Sequence, residues 1–250
     1  MNALRPILLA AGLLLLWQIL VGLSGTPAYI LPGPLPVAKA LATHLPILGP
    51  HLVTTVTEIF LGLLLGVLLG SSTALAMIIS PLLKRWMLPV LVVSQAIPVF
   101  ALAPVLVLWF GYGMASKIAM AVLIIYFPVT ASFYAGMQRT DPDLLDLARI
   151  MGARPLAILR SIVIPSALPA FAAGVRVATA VAPIGAVVGE WVGSSGGLGF
   201  YMLHANARMQ IDLMFAALTL LACVSLLLYY LIDRLLDRLI YWQPNQGSTL

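Results

Sequence analysis

Charge is what this sequence is short of. Only 8% of its residues are Asp, Glu, Lys or Arg and 62% are hydrophobic, whereas roughly a quarter of a soluble domain is charged. With a mean hydropathy of +1.09, an ordinary water-soluble domain is excluded. The single cysteine, Cys223, excludes an internal disulfide or a Cys-based metal cluster, and its apolar setting suggests plain helix packing. No Gly-x-x-x-x-Gly-Lys-Ser/Thr pattern occurs, so the chain carries no P-loop. Lys and Arg outnumber Asp and Glu by 13 to 8, but they are not clustered with aromatics. They stand between apolar segments, which argues against nucleic acid and for membrane topology.

The abundance is of long apolar runs. A bilayer crossing takes about 20 apolar residues, and six segments qualify: about Ile7 to Leu23, Leu52 to Ile79, Trp86 to Phe110, Lys117 to Gly136, Leu168 to Val192 and Leu213 to Ile232. The reading is an all-α integral membrane protein, one domain over residues 1–250. The first segment reads as a retained helix, because Thr26-Pro27-Ala28 makes a poor signal-cleavage site. A Pro-rich linker, Ile30 to Pro36, and a short amphipathic piece, Val37 to His44, separate it from the second.

Orientation follows from the basic residues. With the N-terminus inside, Arg5, Lys84, Arg85, Arg139, Arg149, Arg154, Arg160, Arg234 and Arg238 are cytoplasmic, and Lys39, Lys117 and Arg208 lie outside. Nine against three fits the positive-inside bias. Both termini and the loop of about 138–166 are then cytoplasmic.

That loop carries the most information. Asp141-Pro142-Asp143 suits a helix start, where free N–H groups favour acids and proline costs nothing. Leu144, Ala148 and Met151 recur at helical spacing. Gly152 can take the left-handed conformation that closes a helix. Pro155 opens a second short helix with Ile158, Leu159 and Ile162, which Pro165 is expected to stop. Two short helices then present a compact apolar knob suited to a groove on a partner.

Few polar residues lie in the spans, where an ionisable group is costly and usually faces the bundle interior or water. Glu58 reads as a partly hydrated helix end. Arg176 reads as an interhelical hydrogen bond or a snorkelling side chain, with substrate contact the alternative. It lies 14 residues from Glu190, about 21 Å along a helix, so the two do not pair. Glu190 leaves two readings, a lining of the substrate entrance or a brace for the turn Gly193 to Gly199. Gln95, among Pro89, Pro98 and Pro104, suits a kinked pathway wall or a purely structural kink. Trp109, Phe110, Tyr112, Trp191 and Tyr201 fit an interfacial belt. Ser194, Ser195 and His204 raise an intramembrane enzyme, but no orienting acid is evident. An ATP-independent secondary transporter fits the composition, though it needs no knob and no inverted repeat is visible.

The loop resembles the permease subunits of bacterial ATP-binding-cassette (ABC) importers. Their signature, Glu-Ala-Ala, three residues, Gly, nine residues, Ile, one residue, Leu-Pro, is matched by Asp146-Leu147-Ala148, Gly152, Ile162 and Ile164-Pro165. The resemblance extends from about Leu31 to Tyr241. It is closest to the nitrate, sulfonate and taurine group through Leu31-Pro32-Gly33-Pro34, Ser94 to Pro98 with Ala103-Pro104, Trp109-Phe110-Gly111, and Gly185 to Trp191 with Gly197-Leu198-Gly199. Gly189-Glu190-Trp191 and Asn206 to Gln210 look most like permeases for pyrimidine precursors of thiamine such as hydroxymethylpyrimidine.

The resemblance implies a type I ABC importer permease of six spans in a bacterial inner membrane, working by alternating access. It also implies a homodimer, two cytoplasmic ATPase subunits that hold ATP and Mg, and an extracytoplasmic binding protein. This chain would bind no cofactor and perform no catalysis. Asp146, Leu147, Ala148, Gly152, Ile162, Ile164 and Pro165 would couple it to the ATPase, and Gln95, Glu190, Trp191 and Arg176 are the candidates for the pathway.

Overall fold

A computed structural model describes residues 4–27 and 29–242, with side chains from residue 8 onward. The Arg5 side chain and both termini, on which part of the orientation rests, lie outside the described residues. Every regular element described is helical: α1 (Leu4–Ser24), α2 (Pro34–Ile79), α3 (Pro81–Ala96), α4 (Val99–Phe110), α5 (Met114–Gln138), α6 (Pro142–Ile150), α7 (Pro155–Ile158), a π-helical turn (Leu159–Val163), α8 (Ile164–Gly193), α9 (Leu198–Ala207) and α10 (Ile211–Leu239).

Four helices are long and apolar enough to cross a membrane: α2, α5, the run Pro155–Gly193, and α10. The pair α3 and α4 makes a fifth crossing if counted as one bent span, and Leu8–Ser24 of α1 is a shorter apolar helix. Six apolar segments thus stand where six are expected, with two differences. The amphipathic piece and the second span are one 46-residue helix, α2, because Pro46 and Pro50 remove donors in its N-terminal half without ending it. The third segment is not merely kinked: α3 and α4 meet at 104°. Pro98 forces Ile97 out of the helical region, to φ −87° and ψ 120°, while Pro89 and Pro104 stay inside their helices.

The core forms where α5 lies between α2 and α8. Gly62, Gly66 and Gly70 of α2 face Ala121, Ile125 and Val129 of α5. On the other side of α5, Gly185 backs onto Ala121, Gly174 onto Pro128 and Ser132, and Gly136 of α5 itself onto Ala167 and Ala170. Alanines at 172, 178, 182 and 186 fill the rest of the α8 face, each no more than 1% exposed. Small residues at these positions let helix backbones touch, which supplies the attraction that lipid does not. Cys223 is exposed on α10 and so plays no packing role in the core.

A side chain in this seam has nowhere to go. A Cβ at Gly185 would sit 2.7 Å from the Ala121 Cα, a backbone atom. Gly185→Leu is expected to cost about 3 kcal/mol or more. Thermal unfolding of the detergent-solubilised chain, read by fluorescence-detected gel filtration, checks this.

Candidate functional site

Two constructions occupy opposite ends of α5 and α8. The first is the knob. Asp141 caps α6 by accepting the Asp143 N–H at 3.0 Å, Pro142 stands in the first turn, and Thr140 fixes the approach by donating to Met137 C=O. At the other end Gly152 has φ +76°. Its N–H donates to Arg149 C=O and the Ala153 N–H reaches back to Ala148 C=O, the two bonds of a Schellman closure.

The apolar face differs from the expected one. Ala148 is buried and Leu145 half-buried, so that side of α6 packs on the protein. The free surface is Leu144, Leu147, Ile150 and Met151, joined by Leu156 of α7, with Ile150 84% and Met151 77% exposed. Asp146 and Arg149 pair at 2.7 Å on the open side. A cavity of about 570 Å³ lies beneath, between Ile78 and Ile79 at the end of α2 and Leu145, Arg149 and Leu159.

Pro165 does not stop the second helix. The backbone runs from Pro155 through the π-turn, which holds a half-buried Ile162, straight into α8, where Ile164 and Pro165 form the first turn. A proline in a first turn loses a donor that has no partner there anyway.

The second construction is a buried clasp at the far end. Glu190, 1% exposed, accepts the Thr55 hydroxyl at 2.6 Å and the N–H groups of Gly199 and Phe200. Thr55 in turn accepts the Leu198 N–H at 2.8 Å, and His51 Nδ1 accepts the Gly197 N–H at 3.0 Å. Gly197 has φ +106°, and a Cβ there would overlap the Glu190 carboxylate. Of its two readings, Glu190 adopts the brace.

Glu58 and Lys117 correct their sequence readings. Glu58 is fully buried rather than a hydrated end, and Lys117 is no exterior topology charge: its Nζ lies 3.2 Å from Glu58 Oε1. Lys117 can reach inward because α8 presents Gly189 against its Cα. Sequence reasoning missed this group, although His51, Thr55 and Glu58 form a polar stripe at helical spacing.

Arg176 makes interhelical bonds, with Nε to Asp233 and an Nη to Asp237, each at 2.6 Å, the two acids one turn apart on α10. Gln95 is exposed in the last turn of α3, just before the 104° break. Trp191 is half-exposed and lines a cavity of about 700 Å³ with Met202, Asn206 and Met214, between α8, α9 and α10. Trp191 of the 189–191 stretch and Asn206 of the 206–210 stretch thus line one cavity. Trp109, Phe110 and Tyr112 face outward, while Tyr201 lies against His51. Ser194 bonds with Gly196, and His204 with Phe200 C=O. No Ser–His hydrogen bond forms among the described residues.

The comparisons agree with this architecture. A probable ABC transporter permease of Haemophilus influenzae is 57% identical over 95% of this chain and 97% of its own. The formylaminopyrimidine transport permease ThiX of Halalkalibacterium halodurans is 36% identical, covering 98% of each. The riboflavin transport system permease RibX of Chloroflexus aurantiacus is 37% identical over 93% of this chain and 88% of its own, and the taurine permease TauC of Escherichia coli 30% over 93% and 87%. The fold matches a chain of the inward-facing MetNI methionine ABC transporter with a TM-score of 0.67 at 19% identity, over 78% of this chain and 97% of that one. Residues 62–241 match the family model described as "binding-protein-dependent transport system inner membrane component". The chain belongs to that family and is an ABC permease subunit, with ATP hydrolysis carried by a separate subunit.

Proposed function

We propose that two copies of this chain form the translocation pathway of an ATP-driven importer in a bacterial cytoplasmic membrane. Both termini and the knob face the cytoplasm, and a binding protein delivers solute from the other side. The knob is the observation that carries this reading: a capped helix that leaves Leu147, Ile150 and Met151 in the open needs an apolar groove on a partner. Asp146, Leu147 and Gly152 present that surface, and Ala148, Ile162, Ile164 and Pro165 anchor it. ATP and Mg belong to the ATPase pair. Its closure moves the knobs, and each knob tilts α8, so that the pathway opens to one side at a time.

The solute we propose is a small planar nitrogen-containing ring, a thiamine-precursor pyrimidine. The two cations within the bundle are already taken: Lys117 by Glu58, and Arg176 by Asp233 and Asp237. That favours an uncharged ligand over a sulfonate or nitrate. ThiX, named for a formylaminopyrimidine, also matches more closely than TauC does. The cavity beside Trp191 and Asn206 falls in the size range of small-molecule sites, roughly 300–1,000 Å³, and offers an indole face and an amide. Gln95 borders the path at the α3–α4 break, and Glu190 holds the wall in place.

Co-purification with the tagged ATPase is expected to yield two permeases per two ATPases, and a monomer that transports without ATPase overturns the assembly. Gly152→Val puts a β-branched residue at φ +76°, a conformation costing about 1–2 kcal/mol. It is expected to abolish solute-stimulated ATP hydrolysis while membrane insertion is unchanged. Gln95→Leu and Trp191→Ala should lower uptake of labelled hydroxymethylpyrimidine more than ATPase assembly. Taurine uptake without pyrimidine uptake by the unmodified importer refutes the ring and leaves the importer standing.

A further inference from the structure

The charges buried around the clasp do not balance if every acid is ionised. Glu58 is 0%, Glu190 1% and Lys117 5% exposed, and one ammonium serves two carboxyl groups that meet along α2, where Thr55 holds Glu190, and Glu58, one turn on, meets Lys117. His51 is the other titratable side chain on the α2 stripe, and its Nδ1, which accepts the Gly197 N–H, carries no proton. The turn at 194–197 and the start of α9 bring backbone N–H groups and no charge. A net negative charge sealed among α2, α5 and α8 is strongly disfavoured.

The hydrogen bonds show where compensation falls. Glu190 is surrounded by donors, the Thr55 hydroxyl and the Gly199 and Phe200 N–H groups, and an ionised carboxylate is the form that accepts them all. Glu58 receives no hydrogen bond at either oxygen. Its Oε1 has the Lys117 ammonium at 3.2 Å, and the Glu190 carboxyl is held one turn back along α2 by Thr55. A carboxyl with an ammonium at one oxygen and no donor at the other is placed to give a proton from the free oxygen to a neighbouring anion.

We infer that Glu58, Glu190 and Lys117 form a one-proton site inside the membrane domain, with the proton on Glu58 directed toward Glu190. The triad is then neutral, and the proton is a structural part of the bridge joining α2, α5, α8 and the Gly197 turn. Nothing in this depends on which solute is carried.

Infrared spectroscopy of the full chain in lipid nanodiscs, with and without carboxyl-¹³C glutamate, tests it. At neutral pH the unmodified chain is expected to show a protonated-acid carbonyl band that moves with the label, and Glu58→Gln to lose it. The glutamine amide can still give N–H to Glu190 and C=O to Lys117, so this variant should keep the parent melting temperature. Glu190→Gln would turn an amide nitrogen toward N–H and O–H donors, and should melt about 4 °C lower or fail to fold. No labelled acid band in the unmodified chain, or a Glu58→Gln variant as unstable as Glu190→Gln, overturns the proposal.

Discussion

Helix α5 can be gripped on two sides only because its neighbours offer almost no side chain where they touch it. In lipid, apolar surface gains little by meeting apolar surface, so helices associate through close van der Waals contact and the polar bonds that closeness permits. The glycines of α2 and the glycine and alanine rows of α8 set that distance. The polar contacts of the clasp depend on it: Lys117 meets Glu58 across the α2–α5 seam, and Glu190 meets Thr55 between α8 and α2.

The internal charges consequently serve assembly. Glu58 with Lys117 joins α2 to α5, and Arg176 with Asp233 and Asp237 joins α8 to α10. In the low dielectric of a membrane interior an ion without its partner is far more costly than in water. Each buried cation, together with the acids around it, therefore fixes which helices are neighbours as well as how firmly they hold.

How much was legible in the sequence followed the range of the interactions. The knob could be read closely because its punctuation is local: Asp141 and Pro142 start α6, and Gly152 ends it within a few residues of where its bonds close. Which face it presents was not legible, since Ala148 or Leu147 pointing outward is decided by how α6 lies on the end of the bundle. The clasp was read only as one of two options, because Thr55 and Glu190 are 135 positions apart. Lys117 was misread for the same reason: a lysine at the start of an apolar run looks like a topology signal until its partner on another helix is known. Prolines misled in both directions. Pro98 breaks the chain more sharply than a kink, whereas Pro46, Pro50 and Pro165 are absorbed, since the rule for one residue does not say whether the surrounding helix can tolerate the lost bond.

The unbroken run from Pro155 to Gly193 spans 39 residues, about 58 Å at helical rise. One end carries the knob and the other ends three residues after Glu190, so the run is a stiff shaft rather than two elements in series. Pro169 and Pro183 are absorbed inside α8, and near the knob the run holds a π-turn at Leu159–Val163, where the wider turn takes an extra residue. That turn stands between the knob and the shaft, and it sets the angle at which the one leaves the other.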